Sequence, residues 1–296
     1  DTATFRPRPA QEAAERLTAL ADRLEGTTAG WGGEAGAADA LRELDPEREP
    51  IVSYVGKLIV SKGVDLLIAA WPLVGAEVPD ARLVIVGFGT YRDGLVRLRE
   101  ALAGGSLDEA REIAARGREL EGGPAGEMTY LASFLDALEG ERRERYLAAA
   151  GPALARVSFT GRLEHEDLPD LLPACVAQVV PSTFPEAFGM VAVEAAACGA
   201  LPLSAAHSGL AEVTRTLAPV VEPEVQPLLS FERGPGAVEE IAAKLVRWLA
   251  LEPGARERAR AALSDEARGR YGWEGVARGV VAAAEGRLGE LPRPGG

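Results

Sequence analysis

Two of the three lysines in the sequence lie close together, in a stretch bounded by glycines. The chain has 32 basic residues, and all except Lys57, Lys62 and Lys244 are arginines. Gly56 would let the backbone turn tightly, and Gly63 opens a helical pattern. Because the first amides of a helix attract anions, two ammonium groups beside that end predict a diphosphate site. Two solvated surface lysines are the alternative, and the residue order is not that of a Walker loop.

Two glutamates in a second stretch are candidates for contacts to the rest of such a ligand. The amides of Phe188, Gly189 and Met190 are expected to face a phosphate at a helix start. Glu186 and Glu194 are separated by roughly 12 Å of helical rise, so they cannot share a proton as an aspartic-protease-like pair does. Their spacing suits two ends of an extended ligand. The alternatives are a carboxylate that complements the helix dipole and an exposed helix residue, although the apolar neighbours of Glu194 predict burial and hence a partner.

The other potentially reactive residues give weaker signals. The segment Glu164-His165-Glu166-Asp167 is interpreted as a charged first helical turn rather than a metal cluster. With only one further histidine, His207, no Ser-His-Asp or Cys-His arrangement is predicted. Cys175 and Cys198 are interpreted as small buried hydrophobes. Gly87-Phe88-Gly89 only faintly matches a dinucleotide-binding fingerprint, and close backbone packing is an equal alternative.

Composition limits the class of protein. The chain has 296 residues, 47% of them hydrophobic, and a net charge of −13, so it lacks the basic surface that nucleic acid or an anionic membrane requires. Two cysteines exclude a disulfide-dense secreted scaffold, and no apolar run is long enough to span a bilayer. The sequence predicts a cytoplasmic protein with no signal peptide. It begins at Asp1 without a methionine, so we expect a fragment of a longer protein.

Short apolar runs alternate with amphipathic stretches after residue 50. Strands rich in valine and isoleucine, each followed by a helix, predict an α/β fold: a Rossmann-like parallel sheet of about six strands with helices on both faces. The strands are predicted at 51–56, 82–87, 156–161, 176–181, 201–204 and 218–221. The helices are predicted at 10–25, 63–74, 91–102, from 167 onward, and at 190–198, 236–251, 254–270 and 273–288.

The predicted domain organisation has one irregularity. Residues 1–50 are expected to form a linker and a helical segment, with a loose loop at 26–36, and residues 51–290 to form the Rossmann-like domain. An inserted helical hairpin is predicted at about 104–155, because this connection is far longer than usual. Its apolar stripe would either pack on its own sheet or offer a partner surface, and it comprises Met128, Leu131, Phe134, Leu135 and Leu138.

Several of these motifs together resemble the donor-binding half of family-4 retaining glycosyltransferases, which have the two-domain GT-B architecture. They are Val55-Gly56-Lys57-Leu58 with Lys62-Gly63, Phe159-Thr160-Gly161, and Glu186-Ala187-Phe188-Gly189 with Glu194. The E-x7-E spacing is the most specific mark, and the resemblance covers about 1–102 and 153–290. Even the first seven residues are similar to the family's interdomain linker. The resemblance therefore implies that the N-terminal acceptor-binding domain is missing from this chain.

The resemblance also implies residue roles. Lys57 and Lys62 match the pair that holds the donor diphosphate, and Glu186 matches the carboxylate near the transferred sugar. Glu194 matches the residue that binds the ribose hydroxyls. The remaining expected donor contacts are Gly56, Phe188, Gly189 and Met190, with Arg162 and Leu163 at the edge where the base rests.

Two departures from the family pattern stand out. Lys57 replaces a commoner arginine, which removes bidentate phosphate recognition. Ser208-Gly209 replaces a Gly-Gly pair on the sugar side.

The implied activity is transfer of a sugar from a nucleoside-diphosphate sugar to an unknown acceptor. No metal or other cofactor is expected, since cations and helix amides can stabilise the leaving diphosphate. Nucleic acid is not an expected partner, and any peripheral membrane contact would involve only the missing domain. The alternatives are a GT-B-type sugar-nucleotide epimerase or phosphorylase, and a non-catalytic nucleotide-sugar-binding module.

Overall fold

A computed structural model describes residues 3–25 and 31–290, which contain a six-stranded parallel sheet. The strand order is β3-β2-β1-β4-β5-β6. This confirms the predicted Rossmann-like α/β fold. The strands are β1 (Ile51–Val55), β2 (Arg82–Val86), β3 (Val157–Gly161), β4 (Cys175–Val180), β5 (Leu201–Ala205) and β6 (Ser230–Phe231).

The α-helices lie between and around these strands. Most follow the predicted stretches to within a few residues, because their apolar positions recur at the helical period. In chain order they are α1 (Ala10–Glu25), α2 (Ala37–Arg42), α3 (Val64–Glu77), α4 (Arg92–Ala103), α5 (Leu107–Arg116), α6 (Thr129–Asp136), α7 (Gly140–Leu154), α8 (Leu168–Leu171), α9 (Met190–Ala197), α10 (Ser208–Leu217), α11 (Ala237–Leu249), α12 (Pro253–Tyr271) and α13 (Trp273–Ala284).

The strand order reverses direction between β1 and β4. Right-handed crossovers therefore place the helices that connect the strands of each half on opposite faces of the sheet. The helix α11, which follows β6, packs against α3. On one face α3 contacts α4, α7 and α11, and in the other half α9 contacts α12. With both faces covered, every residue of β5 is buried, which is why the strands lack a polar alternation. The loops after β1 and β4 leave the sheet in diverging directions, and the crevice between them is where this fold binds ligands.

The predicted sixth strand at 218–221 is wrong. Residues Ala218–Val220 form a 3-10 turn, because Pro219 has no amide hydrogen for a sheet ladder and its fixed φ suits a helical turn. The sixth strand is Ser230–Phe231 instead, with Ser204 of β5 aligned with Ser230. A strand of two residues is too short to show any periodicity in the sequence.

The expected hairpin at 104–155 is three α-helices, α5, α6 and α7, and not two. The predicted apolar stripe is buried as expected. However, α7 packs against α3 and α4 and so covers the sheet as a regular element of the fold. The glycines between 117 and 126 break the helical pattern into more pieces than the stripe indicated.

The N-terminal segment packs on the sheet domain. Ala13, Leu17, Leu20 and Ala21 of α1 are buried in the same core as the strands. Residues 26–30 of the predicted loose loop lie outside the described residues. The role of residues 1–50 as an interdomain linker stays a prediction. Within residues 3–25 and 31–290, no helix is long and apolar enough to cross a bilayer.

Candidate active site

A cavity of about 500 Å³ lies at the crevice between β1 and β4. It is lined from one side by the loop after β1 and from the other by the loop after β4 and the start of α9. The two stretches that the sequence singled out therefore face one space. The expected site residues that line this cavity are Gly56, Lys57, Lys62, Glu186, Gly189 and Met190.

Glycines after β2 hold the lysine loop against the sheet. The amide of Gly56 donates to the carbonyl of Val86 at 3.0 Å, and the amide of Leu58 donates to the carbonyl of Phe88 at 2.8 Å. A Cβ on Gly87 would lie only 1.8 Å from the Gly56 carbonyl oxygen. Gly87-Phe88-Gly89 thus serves close backbone packing, which decides between the two interpretations of that motif.

The two loops are joined directly. The Ser61 carbonyl accepts hydrogen bonds from the amides of Thr183 at 2.9 Å and Phe184 at 3.3 Å. Gly63 adopts φ +66°, and a Cβ there would lie 2.1 Å from the Pro181 carbonyl oxygen. Only glycine permits both this left-handed conformation and this approach. The relative placement of the cavity's two walls is therefore set by the backbone.

Lys62 and Glu186 form a half-buried ion pair across the cavity. The Ser182 hydroxyl also donates to Glu186 Oε1 at 2.6 Å. Burial would raise the pKa of Glu186, but the hydrogen bonds from Lys62 and Ser182 outweigh it and hold that pKa below its ordinary value. Lys57 is exposed and has no ion pair with any described residue. Lys244, by contrast, is bonded to Glu240 at 2.7 Å, away from this cavity.

A serine and a histidine that the sequence analysis did not assign position Glu186. The Glu186 amide donates to Ser208 Oγ at 2.9 Å, and its carbonyl accepts from the Gly209 amide at 3.0 Å. Ser208 adopts a left-handed φ of 51° to do so. His207 Nε2 lies 2.8 Å from the Ser182 carbonyl, which requires a proton on that nitrogen. In the sequence, only the departure of Ser208-Gly209 from the family's Gly-Gly pair pointed to a role for Ser208.

The start of α9 points a positive helix end at the cavity. Gly189 adopts φ +92° before the helix, and no side chain caps it. The first-turn amides of Met190 and Val191 have no acceptor within their own helix. Beside the Lys62 ammonium, these unpaired donors favour an anion.

Glu194 and Phe188 line a smaller neighbouring cavity of about 130 Å³. Met190 lines both cavities and so marks their border. The apolar neighbours of Glu194 predicted a hydrogen-bonding partner for its carboxylate. That partner is His165, whose Nε2 lies 2.9 Å from Glu194 Oε1. Phe188 packs edge-on against Tyr271, with ring centroids 5.6 Å apart. Glu186 and Glu194 thus line two adjacent cavities and not a single one.

Arg162 and Leu163 line neither cavity. Leu163 is buried in the core. The Arg162 guanidinium lies 5.8 Å from the centroid of the Trp31 ring and 5.7 Å from that of Phe88, and it pairs with Glu164 at 2.8 Å. Contact between these residues and a nucleotide base stays a prediction.

A larger cavity, of about 520 Å³, lies beside Arg162 and Arg42. Arg42 is already paired with Asp22, at 2.8 Å, and with Glu25. Both arginines of this cavity are paired with carboxylates, whereas Lys57 in the lysine loop has no ion pair among the described residues. The lysine loop therefore attracts a phosphate more strongly than this cavity does.

Among the described residues, the remaining candidates form neither a metal site nor a reactive thiol. Asp167 Oδ2 accepts from the Glu164 amide at 3.1 Å, as a charged helix start does. Across the described part of the chain, no three potential ligands converge as a metal site. Cys175 and Cys198 are buried, and burial raises the pKa of each thiol to about 12, so neither is a thiolate at neutral pH.

Comparison with known proteins identifies similar sequences. The profile of the family described as Glycosyl transferases group 1 matches residues 40–105 and 134–268, and it leaves out 106–133. The D-inositol 3-phosphate glycosyltransferase of Mycobacterium sp. (strain KMS) is 30% identical over 183 residues. That match covers 62% of this chain but only 30% of the relative's length.

Solved structures show the same fold. HepE of Anabaena in complex with UDP superimposes with a TM-score of 0.55 at 18% identity, covering 97% of this chain and 55% of that one. The C-terminal domain of LpcC, a glycosyl transferase group 1 family protein of Francisella tularensis, gives a TM-score of 0.50 at 17% identity. It covers 92% of this chain and is itself covered over 97% of its length.

Proposed function

Because this chain belongs to the Glycosyl transferases group 1 family, we propose that it is the donor-binding domain of a retaining glycosyltransferase. It binds a nucleoside-diphosphate sugar in the cavity between β1 and β4. One observation carries this proposal: two scarce lysines and the start of α9, which are far apart in sequence, line a single space. The UDP-bound structure of HepE supports a nucleotide ligand for this fold.

The cations and amides stabilise the leaving group. As the glycosidic bond breaks, negative charge grows on the nucleoside diphosphate. An ammonium has three donors, and with one engaged by Glu186, Lys62 keeps two for phosphate oxygens. Exposed Lys57 and the α9 amides add to this field. Because Lys62 and the α9 amides are held in place before the reaction, they favour the transition state over the ground state. With these positive groups, stabilisation of the leaving diphosphate needs no metal ion.

Glu186 acts on the sugar side of the same cavity. Its lowered pKa keeps the carboxylate ionised at neutral pH. A negative charge there complements the positive charge that develops on the sugar carbon as the leaving group departs. Ser182 and Ser208 fix the carboxylate and its backbone, respectively, so Glu186 faces the reacting bond without rearrangement.

The nucleoside extends along α9. Met190 and Glu194 are one helical turn apart and lie on one face. A diphosphate at the helix start would therefore place the ribose near Glu194, whose carboxylate accepts hydrogen bonds from its hydroxyls. His165, which now occupies that carboxylate, would exchange with the ribose.

Most of the acceptor site is expected on a part of the protein other than this domain. The chain spans about 30% of the length of the curated inositol phosphate glycosyltransferase that it matches, so we propose that a further domain binds the acceptor. The chain by itself should then bind donor but transfer little or no sugar. Its two free, buried cysteines are in keeping with a cytoplasmic location.

Calorimetric titration with UDP, ADP, GDP, CDP and TDP tests the proposal. At least one of these should bind, and Lys62→Ala should weaken it by at least tenfold, because a charge-assisted contact is lost. Arg48→Ala removes the same charge from an exposed side chain and should leave affinity unchanged. Absence of binding to all five, or equal affinity in Lys62→Ala, would overturn the assignment.

The reaction class has its own test. Incubation of labelled nucleotide sugars with the full-length protein and candidate acceptors should give a glycoside with the anomeric configuration of the donor. Conversion of the donor into an epimeric nucleotide sugar, or into a sugar phosphate, would instead identify one of the alternative GT-B activities.

A further inference from the structure

A second cavity, of about 380 Å³, adjoins the proposed donor cavity. Ser61 and Phe184 line both spaces, so these two residues lie at the border between them. Its outer side is formed by Arg118 and residues 126–131, all of which fall in the segment 106–133 that the family profile leaves out. This cavity is therefore a feature that the segment adds to the common fold.

The lining combines flat apolar surfaces with hydrogen-bonding groups. Tyr130, Phe184 and Met128 supply aromatic and apolar contacts, while Asp65 and Thr129 supply polar ones. A sugar ring has an apolar face bordered by hydroxyl groups, and it needs this combination from a protein. The volume lies within the range of about 300–1,000 Å³ that small-molecule sites occupy.

Asp65 is the sharpest feature of the cavity. The residue is only 3% exposed, and across residues 3–25 and 31–290 its carboxyl group has no hydrogen-bond or ion-pair partner apart from its own backbone amide. Burial raises its pKa to about 7, with that amide offsetting part of the effect. At neutral pH the group therefore can both donate and accept hydrogen bonds. A buried carboxyl without a partner is costly, and a ligand hydroxyl would supply one.

The charges around the cavity disfavour an anionic ligand. Its one basic side chain among the described lining residues, Arg118, is already bonded to Glu121 at 3.1 Å. Glu127 adds a further carboxylate to the lining. The donor cavity, by contrast, presents two lysines and a helix start. The two neighbouring spaces thus suit different ligands, one anionic and one uncharged.

We propose that this cavity binds an uncharged sugar unit of the acceptor, beside the donor sugar. The inference rests on the proposed transferase function. Phe184 lies between the two spaces and contacts both sugars, and Asp65 hydrogen-bonds hydroxyl groups of the acceptor unit. The segment 106–133 then contributes to acceptor choice from the donor-binding side of the enzyme.

Saturation-transfer NMR on this chain tests the inference. The probes are methyl α-D-glucopyranoside, methyl α-D-mannopyranoside and maltose, with glucose 6-phosphate as the charged comparison, all measured in a saturating amount of the nucleoside diphosphate that calorimetry selects. At least one neutral sugar should bind. Asp65→Leu and Tyr130→Ala should each weaken it at least fivefold, while Asp65→Asn, which keeps hydrogen-bonding groups, should retain binding. Glu119→Gln alters an exposed carboxylate of the same segment outside the lining and should change nothing.

The outcomes separate this inference from the proposed function. Nucleoside diphosphate affinity is measured on the same samples, and it should be equal in all four variants. If the nucleotide binds but no neutral sugar does, the acceptor subsite is wrong while the donor site stands. Preference for glucose 6-phosphate, or sugar binding that only Lys62→Ala abolishes, would also overturn the subsite. Asp65→Leu removes a buried carboxyl group, and Tyr130→Ala provides an independent variant should that substitution disturb folding.

Discussion

Lys62 and Glu186 form an ion pair at the centre of the proposed donor site. The sequence indicated each residue separately, one by its scarcity and the other by its spacing from Glu194. Their contact joins positions 124 apart and could not be predicted from either stretch. Ser182 was not singled out, and Ser208 was noted only as a departure from the family's Gly-Gly pair. A serine in a loop has no distinctive pattern until the fold places its hydroxyl against a carboxylate or an amide.

The ion pair between Glu186 and Lys62 should make the stability of the protein depend on pH. Because the folded-state pKa of Glu186 is lowered, its ionised form stabilises the folded protein above the ordinary glutamate pKa, and this contribution is lost as pH falls through the folded-state value. Glu186→Gln should therefore lower the free energy of unfolding at pH 7 by about 1 kcal/mol. Thermal unfolding between pH 7 and pH 3 should show the gap closing at the acid end.

A matched variant makes that measurement specific. Glu127 is exposed and has no ion pair among the described residues, so Glu127→Gln should leave stability nearly unchanged at every pH. A Glu186→Gln gap that stays constant down to pH 3 would show that the carboxylate is not held ionised by Lys62 and Ser182.

At the scale of elements, the inserted segment holds the lysine loop. The Val60 amide donates to Glu121 Oε2 at 2.8 Å, at the start of the short turn Val60–Lys62. Glu121 is itself only 10% exposed and is held by Arg118. This contact crosses from the segment that the family profile leaves out to the loop that carries both lysines. Its strength should therefore affect how well the loop is ordered for a diphosphate.

Glu121→Ala should weaken nucleoside diphosphate binding about tenfold, or roughly 1.4 kcal/mol, because the free loop must then be ordered on binding. Glu121→Gln keeps an oxygen acceptor for the Val60 amide and should restore most of the affinity. Titration calorimetry measures both. As a control, Glu119→Ala removes an exposed carboxylate two positions earlier. If Glu121→Ala and Glu119→Ala bind equally well, the segment does not order the loop.

Long helices could be predicted from the sequence, but short elements could not. Helices of several turns carry enough apolar positions to be predicted, as α1 and α11 were. The edge strand Ser230–Phe231 has only two residues, and its position depends on pairing with β5. The proline-containing run at 218–221 had suitable residue types, but its backbone lacked a donor for that pairing.

At the scale of the whole molecule, the reversal of strand order creates the site. Gly63 lies where the two halves meet, with φ +66° and its α-carbon facing the Pro181 carbonyl. Gly63→Ala should lower the free energy of unfolding by roughly 2 kcal/mol or more, since it adds both left-handed strain and a close contact. It should also weaken donor binding by moving the loops apart. Denaturant unfolding and calorimetry on the same variant measure the two effects.

Gly234→Ala is the control for that substitution. A Cβ at Gly234 would meet nothing within 4 Å, so stability should change by no more than about 0.5 kcal/mol. If Gly63→Ala is as stable as Gly234→Ala and binds donor normally, the junction at Pro181 does not set the placement of the cavity walls.

The sequence by itself determined the α/β class, most helices and strands, and the two loops that line the cavity between β1 and β4. These features depend on local periodicity and residue type, which act over a few neighbouring positions. Tertiary structure decided the Lys62–Glu186 pair, the separation of Glu194 into an adjoining cavity and the position of Arg162 away from both. It also decided the second cavity beneath residues 118–131. Each of these depends on contacts between distant segments, and their geometry follows from the strand order and the packing of the whole chain.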